Sequence, residues 1–208
     1  MSVAEQAVLF PVGHSLGAFH PGDGETPPVQ QVRLGPEIVE LSDQEFLVWT
    51  LAHGLVDEQG LPVPGTRATV LEYADEPGIL ESLVDRGLLA EVVPGSAESV
   101  DFASTHRLLP LAMGLGNDPA QPWLFAVGLL HQPLVLMTGG MYDLWQWAHL
   151  SPNLWLACQE LALVASQAGI ADPEQTDPEQ VLAGALAALH QLLAVRVACL
   201  DSRIGARV

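Results

Sequence analysis

Residues 37–54 read EIVELSDQEFLVWTLAHG, and residues 133–150 read PLVLMTGGMYDLWQWAHL. Set side by side without a gap, they pair Val39 with Val135, Trp49 with Trp145, Ala52 with Ala148 and His53 with His149. Ile38/Leu134, Leu41/Met137, Ser42/Thr138, Phe46/Tyr142 and Val48/Leu144 pair like with like. A short β-branched run that passes directly into an amphipathic one is a strand-to-helix transition. Writing it twice predicts two tandem copies of one unit, and 208 residues suffice for two cores of roughly 80 to 100 residues each.

The first copy is the more explicit. VRLG and EIVEL flank a Gly35-Pro36 turn, the pattern of a hairpin. Ser42-Asp43-Gln44-Glu45 spells a capping box, in which Ser42 accepts from the Glu45 amide and Glu45 from the Ser42 amide. Phe46, Trp49 and His53 then share one helical face, flanked by Leu47, Val48 and Leu51, so this helix is expected to be largely buried. A second helix is predicted from Thr66 to Ala74 beyond the GLPVPG loop. A third follows from Glu76-Pro77 through ILESLVDRG, with Gly87 placed for a left-handed C-cap. LLAEVV, the turn PGSAES and VDFASTHRLLPLAM read as a two-stranded wing.

The second copy is expected to start at Leu124–Gly128 and to repeat the strand and first helix, with Thr138 able to cap. Its second helix is predicted from Ser151 as N-cap, with Pro152 at N1 and Gly169 near its end. The third opens at Asp177-Pro178-Glu179 and carries a Leu182, Leu186, Leu189, Leu193 stripe. Residues 1–30, rich in Gly and Pro, read as an irregular arm or a strand plus loop. The expected division is therefore 1–30 arm, 31–118 domain 1 and 119–208 domain 2.

At LGPEIVELSDQEFLVWTLAHG the chain resembles the opening of the OmpR/PhoB-type winged-helix DNA-binding domain, whose first helix begins at a Leu-Thr-x-x-Glu-Phe motif. Here that motif stands as Leu41-Ser42-x-x-Glu45-Phe46. The resemblance implies an α+β fold, mainly helical with small β-hairpins, built as tandem winged-helix-like domains. In that family the third helix carries Arg or Lys to the major groove. This chain offers Glu76, Glu81, Asp85 and one Arg86 there, so no DNA-reading residue carries over.

Composition points the same way. Asp and Glu number 25 against seven basic residues, all Arg, for a net charge of -18. That charge repels phosphate backbones, and nucleic acid is not expected as a partner. Absent lysine beside plentiful Ala, Leu, Val, Gly and Pro looks like a high-GC bacterial genome. A hydrophobic fraction of 49%, mean hydropathy of +0.29 and only 15% charged residues imply a large core or apolar surface covered by another protein. Residues 181–200 have the length of a membrane span, but His190, Gln191 and Arg196 within them would be costly in lipid, so a buried helix and no membrane contact are expected. MSVAEQAVLF has neither a basic leader nor a small-residue cleavage site, which reads as cytoplasmic. Cys158 and Cys199 belong to no metal spacing and are expected as buried thiols, and His14 and His20 as exposed loop histidines. No metal or other cofactor is expected.

The repeated Trp-x-x-x-His is expected to anchor each core through Trp49 and Trp145, with His53 and His149 bonded at the helix ends. Alternatively these four line a ligand pocket between the copies. Trp145 and Trp147 cannot share a helical face, so Trp147, with Trp155, Tyr142 and Trp123, makes the candidate interaction surface. Gly13-His14-Ser15-Leu16-Gly17 spells G-x-S-x-G, but no helix-forming segment follows it, so a nucleophile elbow is not expected. The leading expectation is a non-enzymatic protein- or peptide-binding adaptor or regulatory protein, homodimeric through the Leu186/Leu193 stripe. The alternatives are a DNA-binding transcriptional regulator and a small-molecule sensor with a pocket between the copies.

Overall fold

The computed structural model of the protein describes residues 7–23, 25–56, 62–74 and 76–203. The first six residues of the expected arm and the start of the GLPVPG loop lie outside them. The fold is α+β, helices packed on small antiparallel sheets. Its first half runs β1 (Val8–Pro11), β2 (His14–Phe19), β3 (Val29–Leu34), β4 (Glu37–Leu41), α1 (Asp43–Leu51), the two-residue strands β5 (Leu55–Val56) and β6 (Pro62–Val63), α2 (Arg67–Ala74), α3 (Pro77–Asp85) and β7 (Leu89–Val92). After α4 (Ala97–Thr105), the second half runs β8 (His106–Pro110), β9 (Met113–Asp118), β10 (Gln121–Leu129), β11 (Gln132–Thr138), α5 (Gly139–Trp147), a 3-10 turn (Ala148–Leu150), α6 (Leu154–Gln167), α7 (Pro173–Thr176), α8 (Pro178–Ala194) and β12 (Ala198–Ser202).

Local chemistry sets the helix starts. The Ser42 capping box forms as expected, with Ser42 N donating to Glu45 Oε2 at 2.7 Å and Glu45 N to Ser42 Oγ at 3.3 Å. Asp172 and Asp177 cap α7 and α8, accepting from Glu174 N at 3.1 Å and Glu179 N at 3.0 Å. Thr138 stands at the N-cap of α5 without a side-chain cap bond. At α6 the cap is Asn153, whose Oδ1 accepts from Leu156 N at 2.9 Å, and not Ser151. Ser151 closes the preceding 3-10 turn and donates its hydroxyl to Glu160.

The two halves follow parallel plans. Each has a three-stranded antiparallel sheet leading into a helix, β2-β3-β4 into α1 and β9-β10-β11 into α5. In each, the first strand pairs with the last, Phe10 opposite Ala90 and Leu109 opposite Cys199. The helix before that last strand ends alike in both. Gly87 has φ 70° and Arg196 φ 55°; Leu88 N bonds Leu83 O at 2.9 Å, and Val197 N bonds Leu192 O at 3.1 Å. This pairing divides the chain differently from the expected 1–30, 31–118 and 119–208: residues 8–19 are strands of the first half, and residues 106–118 belong with the second.

The expected wing is corrected as well. β7 returns to β1, and VDFAST, whose Val100 and Phe102 alternate like a strand, is part of α4. Ser99, Phe102 and Ala103 are its buried residues, and that i, i+3, i+4 spacing is helical. Ser99 Oγ also bonds Val93 O at 2.8 Å, holding the first turn of α4 to the end of β7.

β1 lies between two cores because a strand's side chains alternate. Leu9 joins Trp49, Leu80, Leu83 and Leu88 in the first core, while Phe10 joins Phe102, Trp145 and the α8 stripe in the second. A single parallel bridge, Val12 to Leu200, connects the β1–β7 and β8–β12 pairs. Two polar contacts reinforce it. His190 of α8 reaches Leu9 O with Nε2 at 2.9 Å. Asp201 of β12, 3% exposed, accepts from Gly35 N at 2.7 Å and from Arg33 Nη1 at 2.8 Å. Gly35 is required there: φ is 57°, and a Cβ would meet Ser202 Oγ at 2.5 Å.

Leu186 and Leu193 are 1% and 0% exposed inside the second core, so the α8 stripe expected to close a homodimer is covered within the chain. Leu47, expected among the flanking buried residues of α1, faces solvent. Among the described residues no helix is long and apolar enough to cross a membrane.

Candidate functional site

The two Trp-x-x-x-His pairs begin as equivalents and end in different settings. Trp49 is buried at the end of α1 and donates from Nε1 to Val12 O at 3.1 Å; Trp145 is buried on α5 and donates to Val197 O at 2.9 Å. His53 Nδ1 lies 3.1 Å from Trp49 O, and a carbonyl can only accept, so this nitrogen carries the proton. Its ring meets the Trp49 indole edge-on at 4.4 Å, and burial pushes its pKa down to about 4. His149 is half-buried, and its Nδ1 is enclosed without a partner among the described residues.

Trp49 and His53 line a cleft of about 430 Å³ at the junction of the halves, with Gly13–Gly17, Leu111, Arg196, Ala198 and Cys199. Trp145 and His149 are not among its lining residues, so the four do not form one pocket. Ser15 of the G-x-S-x-G stretch does face this cleft, but it sits within strand β2 and strand continues after it, so the strand–turn–helix elbow is not formed. Cys199 is buried and its thiol is pushed up to about 12 by burial, as is that of Cys158.

Arg196 was not singled out from the sequence, although a signal existed. Setting residues 192–201 (LLAVRVACLD) against 83–92 (LVDRGLLAEV) places Arg196 on Gly87. A second like-for-like run was equally available, LFPVGHSLG at 9–17 against LLPLAMGLG at 108–116, with Gly17 and Gly116 at φ 86° and 82°.

The proposed aromatic surface divides in two. Trp123 and Trp147 are 63% and 54% exposed. Tyr142 stacks on Phe125 at 4.6 Å and tilts against Trp145 at 5.6 Å, and Trp155 packs on the second core. Trp123 lies on β10, in a sheet that carries further exposed apolar side chains. On β11, Val135 and Met137 turn inward while Leu134 and Leu136 are exposed, as are Leu129 and Leu130 at the β10–β11 turn. The order β11-β10-β9 leaves β11 at an edge. Residues 113–147 hold only Asp118 and Asp143 as acids and no Arg.

The basic residues of the first half are neutralised in place. Arg67 bonds Glu81 and Glu91, Arg86 bonds Glu45, and Arg33 bonds Asp201. Among the described residues no group of three or more His, Cys, Asp or Glu side chains could hold a metal ion. Compared with known proteins, the chain matches no family model, no curated protein and no solved structure.

Proposed function

We propose that the protein is a non-enzymatic protein- or peptide-binding adaptor or regulatory protein, and that it binds through the outer face and β11 edge of the β9-β10-β11 sheet. The observation that carries this reading is the exposure of Trp123, Leu129, Leu130, Leu134 and Leu136 along the nearly charge-free β10–β11 hairpin of a chain of net charge -18. Elsewhere that charge holds acidic molecules apart; here a partner can approach without desolvating carboxylates. An extended segment added to β11 would gain backbone hydrogen bonds along the edge, and its alternate side chains would lie over Leu134 and Leu136. The parallel plans of the halves support an origin from two copies of a winged-helix-like unit, with the first half's arginines engaged by carboxylates of the chain, Arg67 and Arg86 within that half and Arg33 by Asp201, instead of by phosphates.

The test is partner capture from the native host with carboxylate-reactive cross-linkers, since the chain has no lysine, by the wild type and by Leu136→Arg and Trp123→Ala. A partner held by the wild type and lost from both variants, with unchanged circular dichroism, supports the reading. Partners retained by both variants would overturn it.

A further inference from the structure

We propose that the cleft between the two halves is a binding site for a small organic anion, its carboxylate held by Arg196 and its apolar body lying against Leu16 and Leu111 with Trp49 at the base. Leu16 and Leu111 are exposed, 47% and 38%, and both line the cleft, so its walls are apolar and reachable from solvent. Its volume of about 430 Å³ lies within the range of small-molecule sites. The polar groups converging there are His14, Ser15, His53 and Arg196, and no Asp or Glu lines it. In a chain with 25 acids and seven bases, a cleft with one cation and no anion is an exception.

Arg196 itself carries the second part of the argument. Its guanidinium, like that of Arg107, has no ion pair among the described residues, whereas Arg33, Arg67 and Arg86 each hold a carboxylate. Its φ of 55° is in the left-handed region, where the first half uses Gly87 at φ 70°. A β-carbon there is strained, and strain kept where glycine would relieve it points to use of the side chain. The net charge repels anions at long range, but that field is screened beyond about 8 Å at physiological ionic strength, leaving the cleft lining to decide.

A carboxylate on an apolar body is found both in a free small molecule and at the C-terminus of a peptide, and the experiment separates the two. The full chain is titrated with N-acetyl-leucine, with N-acetyl-leucinamide and with a blocked pentapeptide ending in a leucine carboxylate. Binding is read by calorimetry and by the Trp49 indole N–H resonance. Saturable binding of N-acetyl-leucine alone identifies a small-molecule site, and binding of the pentapeptide alone a chain-terminus site. The amide should bind at least about tenfold more weakly, the loss expected for one charge-assisted hydrogen bond. Arg196→Gly should weaken binding equally while melting no lower than the wild type, because it relieves the left-handed backbone; the loss therefore cannot be ascribed to misfolding. Leu136→Arg, on the proposed protein-binding face, should leave this titration unchanged. No saturable binding at millimolar concentrations, or binding indifferent to Arg196→Gly, overturns the proposal.

Discussion

Removing the Asp201 carboxylate should loosen the junction of the halves by an amount that depends on the replacement. Asp201 accepts three hydrogen bonds, from Arg33 Nη1 at 2.8 Å, Gly35 N at 2.7 Å and Ser202 N at 3.0 Å, two of them on Oδ1. Asp201→Asn retains an Oδ1 acceptor for the two backbone amides and sets an amide against Arg33. The side chain of Arg33 is 35% exposed and can turn to water, so the lost ion pair costs about 1 kcal/mol. Asp201→Ala also leaves the half-buried Gly35 amide without its acceptor, adding about 1–3 kcal/mol, for a total of about 3 kcal/mol. With a urea m-value near about 3 kcal/mol/M, the alanine variant should unfold at a midpoint about 1 M lower, followed together by tryptophan fluorescence and far-ultraviolet circular dichroism. Equal costs for the two variants, or an alanine cost below about 1 kcal/mol, would refute the assignment of Asp201 as the clamp on the β3–β4 turn.

His53 should make the protein acid-sensitive. Its folded pKa of about 4 lies below the ordinary 6.5, so its contribution is whole above pH 6.5 and is lost as pH falls toward 4, reaching about 3 kcal/mol. His53→Gln should flatten that part of a stability-versus-pH curve; an unchanged slope would contradict it. Phe10→Ala should cost about 3–5 kcal/mol and lower the stability of both halves in one transition, since Phe10 belongs to the second core while its strand builds the first. Two separated transitions by circular dichroism would argue otherwise. Cys158 and Cys199, pushed up to about 12, should resist a thiol reagent at pH 8 until urea unfolds the chain; rapid native labelling of either would show it accessible.

Features written in adjacent residues were legible. The capping box at Ser42, the Asp177-Pro178 start of α8, the left-handed Gly87 and the α8 leucine stripe all follow from chemistry within one or two helical turns. Trp147 facing outward followed from helical phase alone. Reading failed where partners are distant or signals are short. β1 and β8 are four and five residues long, too brief to announce themselves, and each is completed only by a strand at the far end of its own half. In α4 the alternation of Val100 and Phe102 imitated a strand, and contact with α6 and α8 decided for helix. At the cleft, repetition drew attention to Trp49 and His53 but assigned them the wrong companions. Arg196 arrives there from a separate element of the second half.

The position of β1 has a kinetic consequence. Leu9 and Phe10 are made long before their partners: the imidazole that bonds Leu9 O is 181 residues away, and the carboxylate that fixes the Arg33 side chain lies 168 residues beyond it. Such closures come late, because the entropy of joining distant segments must be met before their contacts form. During synthesis β1 is therefore held by β7, Gly65 and the first core, while the face of Phe10 that meets His190 stays open until α8 has emerged. A chain cut short before Asp201 keeps the parts of its first half but lacks their lock, and it presents an apolar strand to its neighbours throughout that interval.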